Sequence, residues 1–314
     1  MNTTSLNTVA VVGCGLVGSG WALVFARAGA TVRIYDGDAA LRARAPERIR
    51  QMLQDMQGAG LVQEVDAALA RITVCDTLAD AVGPADYIQE SVLERVDVKQ
   101  AVCAEIGAAM RPDAICGSSS SGIPASAFTE ALARRSRFLV AHPVNPPHLV
   151  PLVELVPAPW TDPEILPVLR DAMQRWGQAP IVVKAEIEGF ILNRLQGALL
   201  NEAWALYEAG LASAADIDLT VSQGLGLRWA FMGPFETIDL NAPGGIADYS
   251  ARLAPLYHNI AVSRADPQPW SPAAIRAAEA ERREILPADQ LQQRTDWRNR
   301  RLMALVAHLR SQPK

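Results

Sequence analysis

The sequence is short of cysteine and histidine. Its 314 residues include 4 Cys and 4 His, and no two cysteines have CxxC spacing. The cysteines do not pair with histidines at the intervals of a metal site, and they are too few for a disulfide framework. We therefore expect reduced thiols and no metal centre, which argues against a zinc domain or a disulfide-stapled secreted protein.

We also expect no membrane-spanning or targeting segment. Apolar stretches such as 189–200 are interrupted before they reach the length that spans a bilayer. The start of the chain, MNTTSLNT, has no basic region followed by an apolar run, so it does not resemble a signal peptide. We therefore expect a cytoplasmic protein.

Positive charge is in short supply as well. Lys and Arg number 29 against 34 Asp and Glu, a formal net charge of -5. Such a chain has no strong positive field to hold nucleic acid or an anionic membrane, so neither is an expected partner. Half of the residues are hydrophobic, which is typical of a globular protein with a substantial core.

Short β-branched runs alternate with helical patterns in the first part of the chain. The predicted strands are Thr8–Val12, Thr31–Tyr35, Ile72–Cys75, Asp86–Gln89, Ala114–Gly117, Phe138–Ala141, Leu152–Val156 and Pro180–Lys184. The predicted helices lie near 16–29, 38–57, 94–109 and 162–177. This alternation is typical of parallel strands joined by crossover helices. We therefore predict an α/β fold whose N-terminal domain is Rossmann-like, with a doubly wound, mostly parallel sheet.

From about residue 188 the pattern becomes helical. Gly189–Ala209 is predicted to form one long apolar helix that ends before Gly210, a residue suited to a C-terminal cap. Further helices are predicted near 213–223, 233–239, 246–262, 272–284 and 288–311. We therefore predict a Rossmann-like domain over 1–187 and an all-α domain over 188–314.

A glycine-rich turn follows the first predicted strand. The run Gly13-Cys-Gly15-Leu16-Val17-Gly18 connects that strand to a helix. In this context the pattern predicts a dinucleotide site: the first glycine permits the tight turn, the second the approach of a pyrophosphate, and the third close packing of helix on strand. The residues predicted to line that site are Gly13, Gly15, Leu16, Val17 and Gly18.

Asp36 ends the second predicted strand, 18 residues after Gly18. A carboxylate at this place can accept hydrogen bonds from the ribose diol and would repel a 2′-phosphate, so NAD is the predicted cofactor. Arg33, Arg42 and Arg44 are close to it in sequence and keep NADP open as the alternative.

A hydride-transfer enzyme also needs a group that exchanges the alcohol proton. His142 directly follows a predicted strand, and therefore lies at the sheet edge where ligands of parallel sheets bind. Glu154 interrupts an otherwise apolar predicted strand, and pairing with His142 would orient the ring and stabilise its protonated form. From the pattern alone, a structural histidine is as good an interpretation as a catalytic one.

Four further motifs occur in order along the chain. They are His142-Pro-Val-Asn-Pro146, Leu152-Val-Glu-Leu-Val156, Gly189-Phe-Ile-Leu-Asn193-Arg194 and Met232-Gly-Pro-Phe-Glu236. Together with the glycine-rich turn they resemble the 3-hydroxyacyl-CoA dehydrogenase superfamily. The chain most resembles its lambda-crystallin and L-gulonate 3-dehydrogenase branch, in Ala141-His-Pro-Val-Asn-Pro-Pro147, Arg228-Trp-Ala-Phe-Met-Gly-Pro234 and Leu240-Asn241. The resemblance covers nearly the whole chain.

The resemblance implies catalytic roles for four residues. His142 matches the general acid/base of the family, and Glu154 matches the carboxylate that orients it. Ser121 matches a serine that hydrogen-bonds the reacting oxygen. Asn193 matches an asparagine that helps to hold the substrate and the His142–Glu154 dyad. Neutral donors at that oxygen stabilise developing alkoxide charge. By pattern alone, Ser121 would lie in a turn and Asn193 would cap a helix.

Three more residues are candidates for binding. By the same matching, Glu94 and Lys99 resemble cofactor-contacting positions, and solvated residues on a helix face are the alternative. Arg228 is our candidate for the substrate carboxylate from its charge and position, because a guanidinium can bind a carboxylate bidentately. An arginine in a surface turn is the alternative there.

Two departures bear on the substrate. Pro143-Val144 stand where acyl-CoA members of the family usually have two aromatic residues, and Ser119 stands where many have asparagine. Both favour a small, hydrophilic 3-hydroxy acid over a long-chain acyl-CoA, with L-gulonate the best single candidate. The alternatives are a 3-hydroxyacyl-CoA dehydrogenase, a carnitine-type 3-hydroxy acid dehydrogenase, and a non-enzymatic, crystallin-like NAD-binding protein.

The predicted helical domain contains more apolar positions than one helical layer covers. Examples are Leu195, Leu199, Leu200, Trp204, Leu206, Trp229 and Phe231. Together with the resemblance, this surplus predicts a homodimer formed through the helical domain.

Overall fold

The computed structural model describes residues 6–312 of the chain, which divide into two compact units. The first unit comprises Met1–Leu195 and Trp297–Lys314, and the second comprises Gln196–Asp296. From Trp297 onward, the C-terminal helix is thus grouped with the sheet. The predicted domains 1–187 and 188–314 stay a prediction, and the compact units differ from them in where they place that helix.

An eight-stranded sheet forms the centre of the first unit, as far as the chain is described. Its strands are β1 (Thr8–Val12), β2 (Thr31–Tyr35), β3 (Ile72–Val74), β4 (Tyr87–Glu90), β5 (Ile115–Ser118), β6 (Phe138–Pro143), β7 (Leu152–Pro157) and β8 (Ala179–Val182). Their spatial order is β3-β2-β1-β4-β5-β6-β7-β8. Neighbours are parallel except β6 and β7, which are antiparallel. The predicted Rossmann-like, mostly parallel sheet is confirmed.

α-Helices connect most of these strands and predominate after β8. In the first part they are α1 (Leu16–Arg27), α2 (Ala39–Gly58), α3 (Val65–Leu69), α4 (Leu78–Val82), α5 (Val96–Ala109), α6 (Ser126–Thr129) and α7 (Ile165–Arg175). They continue with α8 (Leu192–Glu208), α9 (Ala214–Thr220), α10 (Gly226–Trp229), α11 (Pro234–Leu240), α12 (Gly245–Ser263), α13 (Pro272–Ile285) and α14 (Leu291–Ser311). The short helices α3, α4 and α6 were not predicted, because four or five residues are too few to show a helical period.

Successive side chains of β1 enter two different cores. Val9 and Val11 pack with α1, α2 and α7 in what we call the first core, whereas Ala10 and Val12 pack with α4 and α5 in the second. Side chains alternate across a strand, so a sheet covered on both faces needs apolar residues at every position. This requirement explains the unbroken apolar run of β1.

Aromatic rings fix α1 in the first core. The ring of Phe25 lies 5.2 Å from that of Trp21, 4.7 Å from that of Trp176 and 5.9 Å from that of Tyr87. All four side chains are almost completely buried. Because Trp176 directly follows α7 and Tyr87 begins β4, this cluster holds α1 against both elements.

Helix α8 begins later than predicted. Gly189 and Phe190 have φ angles of 74° and 50°, which are left-handed, so neither can continue a right-handed helix. After α8, Gly210 has a φ of 68°, as expected for its predicted capping role. A π-helical turn, Val221–Leu225, follows α9 and leads into α10, so helical structure continues beyond the predicted end near residue 223.

None of the helices in the described residues is both long and apolar enough to cross a bilayer.

Replacing Leu169 by Ala tests the packing of α7. Its side chain is fully buried in the first core, so we expect the free energy of unfolding to fall by about 2–5 kcal/mol. The adjacent Arg170 is exposed, and its replacement by Ala should change that energy by less than about 0.5 kcal/mol. Urea denaturation at neutral pH measures both, and equal effects would contradict this packing.

Candidate active site

The antiparallel pairing of β6 with β7 brings His142 and Glu154 together. The two residues are direct partners in the register of these strands. Nδ1 of His142 lies 2.8 Å from Oε2 of Glu154, and the residues are 4% and 0% exposed. The pairing expected from the sequence is therefore present as a buried hydrogen bond, whereas the catalytic roles stay predictions.

The other oxygen of Glu154 binds the start of α8. Oε1 accepts hydrogen bonds from the backbone amides of Ile191, at 2.8 Å, and Leu192, at 3.0 Å. The amides at a helix start have no partner inside the helix, so this carboxylate satisfies two of them. Three donors thus converge on one buried carboxylate.

These bonds determine the charge of Glu154. Burial on its own raises the pKa of the carboxyl group. The hydrogen bonds from His142 and from the two backbone amides, with the attraction of His142, outweigh burial and bring the pKa below its ordinary value of 4.5. Glu154 is therefore ionised at neutral pH. An ionised carboxylate only accepts, so Nδ1 of His142 carries a hydrogen and a neutral ring keeps its lone pair on Nε2.

The loop that follows β5, residues 118–123, is the serine loop. Oε1 of Glu94 accepts hydrogen bonds from Oγ of Ser120 at 2.8 Å, and from the amides of Ser121 and Gly122 at 2.8 and 3.0 Å. Burial raises the pKa of Glu94, but these bonds and the charge of Lys99 lower it below its ordinary value. Glu94 thus holds the loop as an anion.

The serine loop also reaches the start of α8. Nδ2 of Asn193 donates to the carbonyl oxygen of Ser121 at 2.6 Å. The structure therefore brings these two predicted residues together through the backbone. Within the described residues, neither side chain hydrogen-bonds to His142, so their proposed contact with the reacting oxygen stays a prediction.

Lys99 is buried among polar partners and not solvated on a helix face. It is fully buried, and its Nζ lies 3.0 Å from Glu90, 3.4 Å from Ser118 and 3.5 Å from Glu94. A buried charge needs such partners to offset its lost hydration. Glu90 was not among the predicted site residues, although the sequence shows a carboxylate directly after the predicted strand Asp86–Gln89. Cofactor contact by Lys99 and Glu94 stays a prediction.

Ser119 joins the serine loop to the glycine-rich turn. Its Oγ receives hydrogen bonds from Nε1 of Trp21 at 3.2 Å and Nε2 of Gln89 at 2.8 Å, and lies 2.7 Å from Oγ of Ser91. A Cβ added to Gly13 would lie 2.5 Å from the carbonyl oxygen of that same Ser91. Hydrogen bonds therefore connect the serine loop to Ser91, and Ser91 packs closely against the glycine-rich turn.

The glycine-rich turn fits a dinucleotide. Gly13 has a φ of 105°, and a Cβ on Gly18 would lie 1.8 Å from the carbonyl oxygen of Gly13, so both positions require glycine. A Cβ on Gly15 would meet no atom within 4 Å, and the following Leu16 is 63% exposed. This leaves open space at the start of α1, where free amides can bind phosphate oxygens.

Asp36 lies beside this turn. Its Oδ2 accepts a hydrogen bond from the amide of Cys14 at 2.7 Å. Two of the three arginines that kept NADP open bind carbonyl oxygens here: Arg33 binds that of Asp80, and Arg42 binds that of Asp36 itself. The carboxylate is thus held at the carboxyl end of β2, where ribose recognition requires it.

Arg228 belongs to the second unit. It lies in α10 and is exposed, so its guanidinium is open to solvent. Its assignment to the substrate carboxylate stays a prediction.

Two family models match the chain. The NAD-binding domain of 3-hydroxyacyl-CoA dehydrogenase matches residues 8–187, and the C-terminal domain of 3-hydroxyacyl-CoA dehydrogenase matches residues 189–284. Together they span most of the chain.

Individual proteins are similar over most of their lengths. Lambda-crystallin of Oryctolagus cuniculus is 38% identical, over 98% of this chain and 97% of that protein. L-carnitine dehydrogenase of Pseudomonas putida is 36% identical, over 80% of this chain and 78% of that protein. The crystal structure of (S)-3-hydroxybutyryl-CoA dehydrogenase from Ralstonia eutropha matches this fold with a TM-score of 0.67. The match covers 84% of this chain and 91% of that one, and the two sequences are 27% identical.

Replacing Glu154 by Gln tests the buried carboxylate. Because the folded pKa lies below the ordinary 4.5, the charge stabilises the fold above that pH, and this stabilisation is lost as pH falls through the folded pKa. We expect the variant to lose about 1–3 kcal/mol of unfolding free energy at neutral pH. The deficit should shrink in acid.

Urea denaturation across this pH range measures the effect. Glu130→Gln, at an exposed position, should match the wild type throughout. A deficit for Glu154→Gln that stays constant from neutral pH into acid would show that the carboxylate is not held as an anion.

Proposed function

The chain belongs to the 3-hydroxyacyl-CoA dehydrogenase family, and from this membership we propose that it oxidises the 3-hydroxyl group of a small, free 3-hydroxy acid. Membership makes it an NAD-dependent oxidoreductase that acts on a CH–OH group. The observation that carries the proposed chemistry is the buried hydrogen bond between His142 and Glu154.

His142 takes the proton in this proposal. Because Nδ1 of His142 is hydrogen-bonded to Glu154, Nε2 is the nitrogen that accepts the proton of the substrate hydroxyl. As the O–H bond breaks, the electron pair of the C3–H bond leaves as hydride, and the C3–O bond becomes a carbonyl. NAD supplies the hydride acceptor when it is bound. Glu154 stabilises the imidazolium that forms.

The remaining predicted residues orient the reactants. Ser121 and Asn193 are proposed to donate to the substrate oxygen, supported by the hydrogen bond that joins the serine loop to Asn193. Asp36 is proposed to bind the ribose diol, while the residues of the glycine-rich turn receive the pyrophosphate. Glu94 and Lys99 support the site by holding the serine loop.

A free acid is the favoured substrate class, with L-gulonate the first candidate. The full-length similarity to lambda-crystallin supports this branch of the family, as does the Pro143-Val144 pair next to the histidine. Carnitine is itself a 3-hydroxy acid, and the similarity to L-carnitine dehydrogenase makes a carnitine-type substrate the second candidate. The similarity to a 3-hydroxybutyryl-CoA dehydrogenase keeps a thioester as the third. The non-enzymatic alternative is set aside, because the relatives include named dehydrogenases.

Turnover of a substrate panel tests the proposal. We expect NADH to form from L-gulonate or L-carnitine and not from 3-hydroxybutyryl-CoA, measured at mildly alkaline pH. His142→Gln should lower kcat by about 10²–10⁴-fold, because it removes the proton acceptor. NADH binding, followed by fluorescence, should be unchanged.

The exposed His308 provides the matched control, and His308→Gln should keep full activity. Preference for the thioester would contradict the free-acid substrate and leave the dyad intact. Full activity of His142→Gln would remove the histidine from the proton transfer.

The proposed partner of the second unit, Gln196–Asp296, is a second copy of the chain. Helices α8, α9, α10 and α12 contain no buried residue in the described chain. Elsewhere in the second unit large apolar side chains are exposed, including Leu211 at 70%, Phe231 at 66% and Phe235 at 75%. An apolar surface of this kind marks an interaction site, and a two-fold dimer covers it by using one patch twice.

The proposed setting is the cytoplasm. All four cysteines are free and buried in the structure. Reduced thiols are typical of the cytosol, where disulfides are rare.

Light scattering after size exclusion measures the oligomeric state. We expect a particle of roughly twice the 33.8 kDa chain mass at micromolar concentration. Phe231→Asp with Phe235→Asp should give a monomer, because charges would then occupy the apolar patch. Leu93→Asp, at a side chain 69% exposed in the first unit, should leave the dimer intact. A monomeric wild type would overturn the dimer.

A further inference from the structure

Four arginines and one carboxylate line a cavity of about 700 Å³ in the first unit. The charged residues of its wall are Arg27, Arg71, Arg175, Arg310 and Glu64. The rest of the wall is uncharged and comes mainly from segments 61–68 and 175–177. No lining residue belongs to the glycine-rich turn, the serine loop or the His142–Glu154 pair, so this arginine cavity is separate from the candidate active site.

The guanidinium groups have no carboxylate partner in the described chain. Arg27 donates to the carbonyl oxygen of His148 at 3.1 Å, and Arg71 donates to that of Ala67 at 2.8 Å. Within residues 6–312, the side chains of Arg175 and Arg310 form neither a hydrogen bond nor an ion pair. The wall therefore has an excess of three positive side-chain charges.

Two of these charges, on Arg27 and Arg310, are close enough to repel one another. Arg27 is only partly exposed, and its burial together with the positive charge of Arg310 lowers its pKa to about 10. Crowded like charges destabilise a fold unless counter-charges accompany them. An anion bound in the cavity would relieve this repulsion.

Helix ends account for only part of the excess charge. Arg27, Arg175 and Arg310 lie in the last turns of α1, α7 and α14. Each helix C-terminus carries about half a negative charge, so three of them offset about half of the excess. The cavity remains positive, and helix capping alone does not explain four arginines around one space.

We propose that the arginine cavity binds a small anion with several phosphate charges. Planar guanidinium groups bind phosphate oxygens bidentately, and four of them can surround a ligand with more than one phosphate. The volume lies in the range of about 300–1,000 Å³ that is common for small-molecule sites. Pyrophosphate and the phosphate chain of a nucleotide share this chemistry, and the test below separates them.

Calorimetric titration of the full chain measures the binding. The probes are pyrophosphate and ATP, added at constant ionic strength in the presence of saturating NADH. NADH occupies the dinucleotide site, so heat from phosphate binding at the glycine-rich turn is excluded. The wild type is compared with Arg175→Gln/Arg310→Gln, which changes two exposed side chains, and with Arg175→Lys/Arg310→Lys, which keeps their charge.

Arg170→Gln is the matched control, because Arg170 lies on the same helix as Arg175, is exposed and does not line the cavity. We expect saturable binding to the wild type and the control, and a dissociation constant raised at least tenfold in the double Gln variant. The double Lys variant should fall between them. Equal affinity for both probes would show that the cavity recognises the phosphate chain alone. Tighter binding of ATP would show that it recognises a nucleotide.

Two results would overturn the proposal. One is the absence of saturable binding of either probe to the NADH-bound wild type. The other is an unchanged dissociation constant in a folded double Gln variant, as checked by circular dichroism. Either would mean that these arginines serve the helix ends alone.

Discussion

The carboxylate of Glu154 is the contact on which the candidate site depends. One of its oxygens binds the ring of His142 on the neighbouring strand, and the other binds two backbone amides where α8 begins. A fully buried charge is costly unless several donors compensate for its lost hydration. Here three donors do so, and the same bonds orient the imidazole and set the first residues of the helix that carries Asn193.

A second buried charge stabilises the other half of the site. Lys99 contacts Glu90 and Glu94, and Glu94 in turn binds the amides of the serine loop. The hydrogen bond from Asn193 to the carbonyl oxygen of Ser121 connects this group to the helix that Glu154 holds. The two charged clusters are therefore linked through the backbone of Ser121, whose amide binds Glu94 and whose carbonyl oxygen binds Asn193.

Much of the sheet was predictable because local rules determine it. β1 and β2 match their predicted bounds. β1 is almost completely buried and therefore apolar from Val9 to Val12, whereas β2 alternates buried and more exposed residues, which is the period of a strand. The glycine-rich turn was equally clear, because steric contact excludes a side chain at Gly13 and Gly18. Prediction was poorer at the start of α8, where the left-handed backbone of Gly189 and Phe190 delays the helix, and for helices too short to show a period.

Local patterns were thus enough to define the strands, the cofactor turn and the candidates His142 and Glu154. Only the folded chain decided that Glu154 faces His142, because alternation along a strand leaves the direction and register of its pairing open. The burial of Lys99 and the gathering of Arg27, Arg175 and Arg310 around one cavity likewise depend on residues far apart in sequence. Tertiary packing decides which charged side chains lie close together, and no short stretch of sequence contains that information.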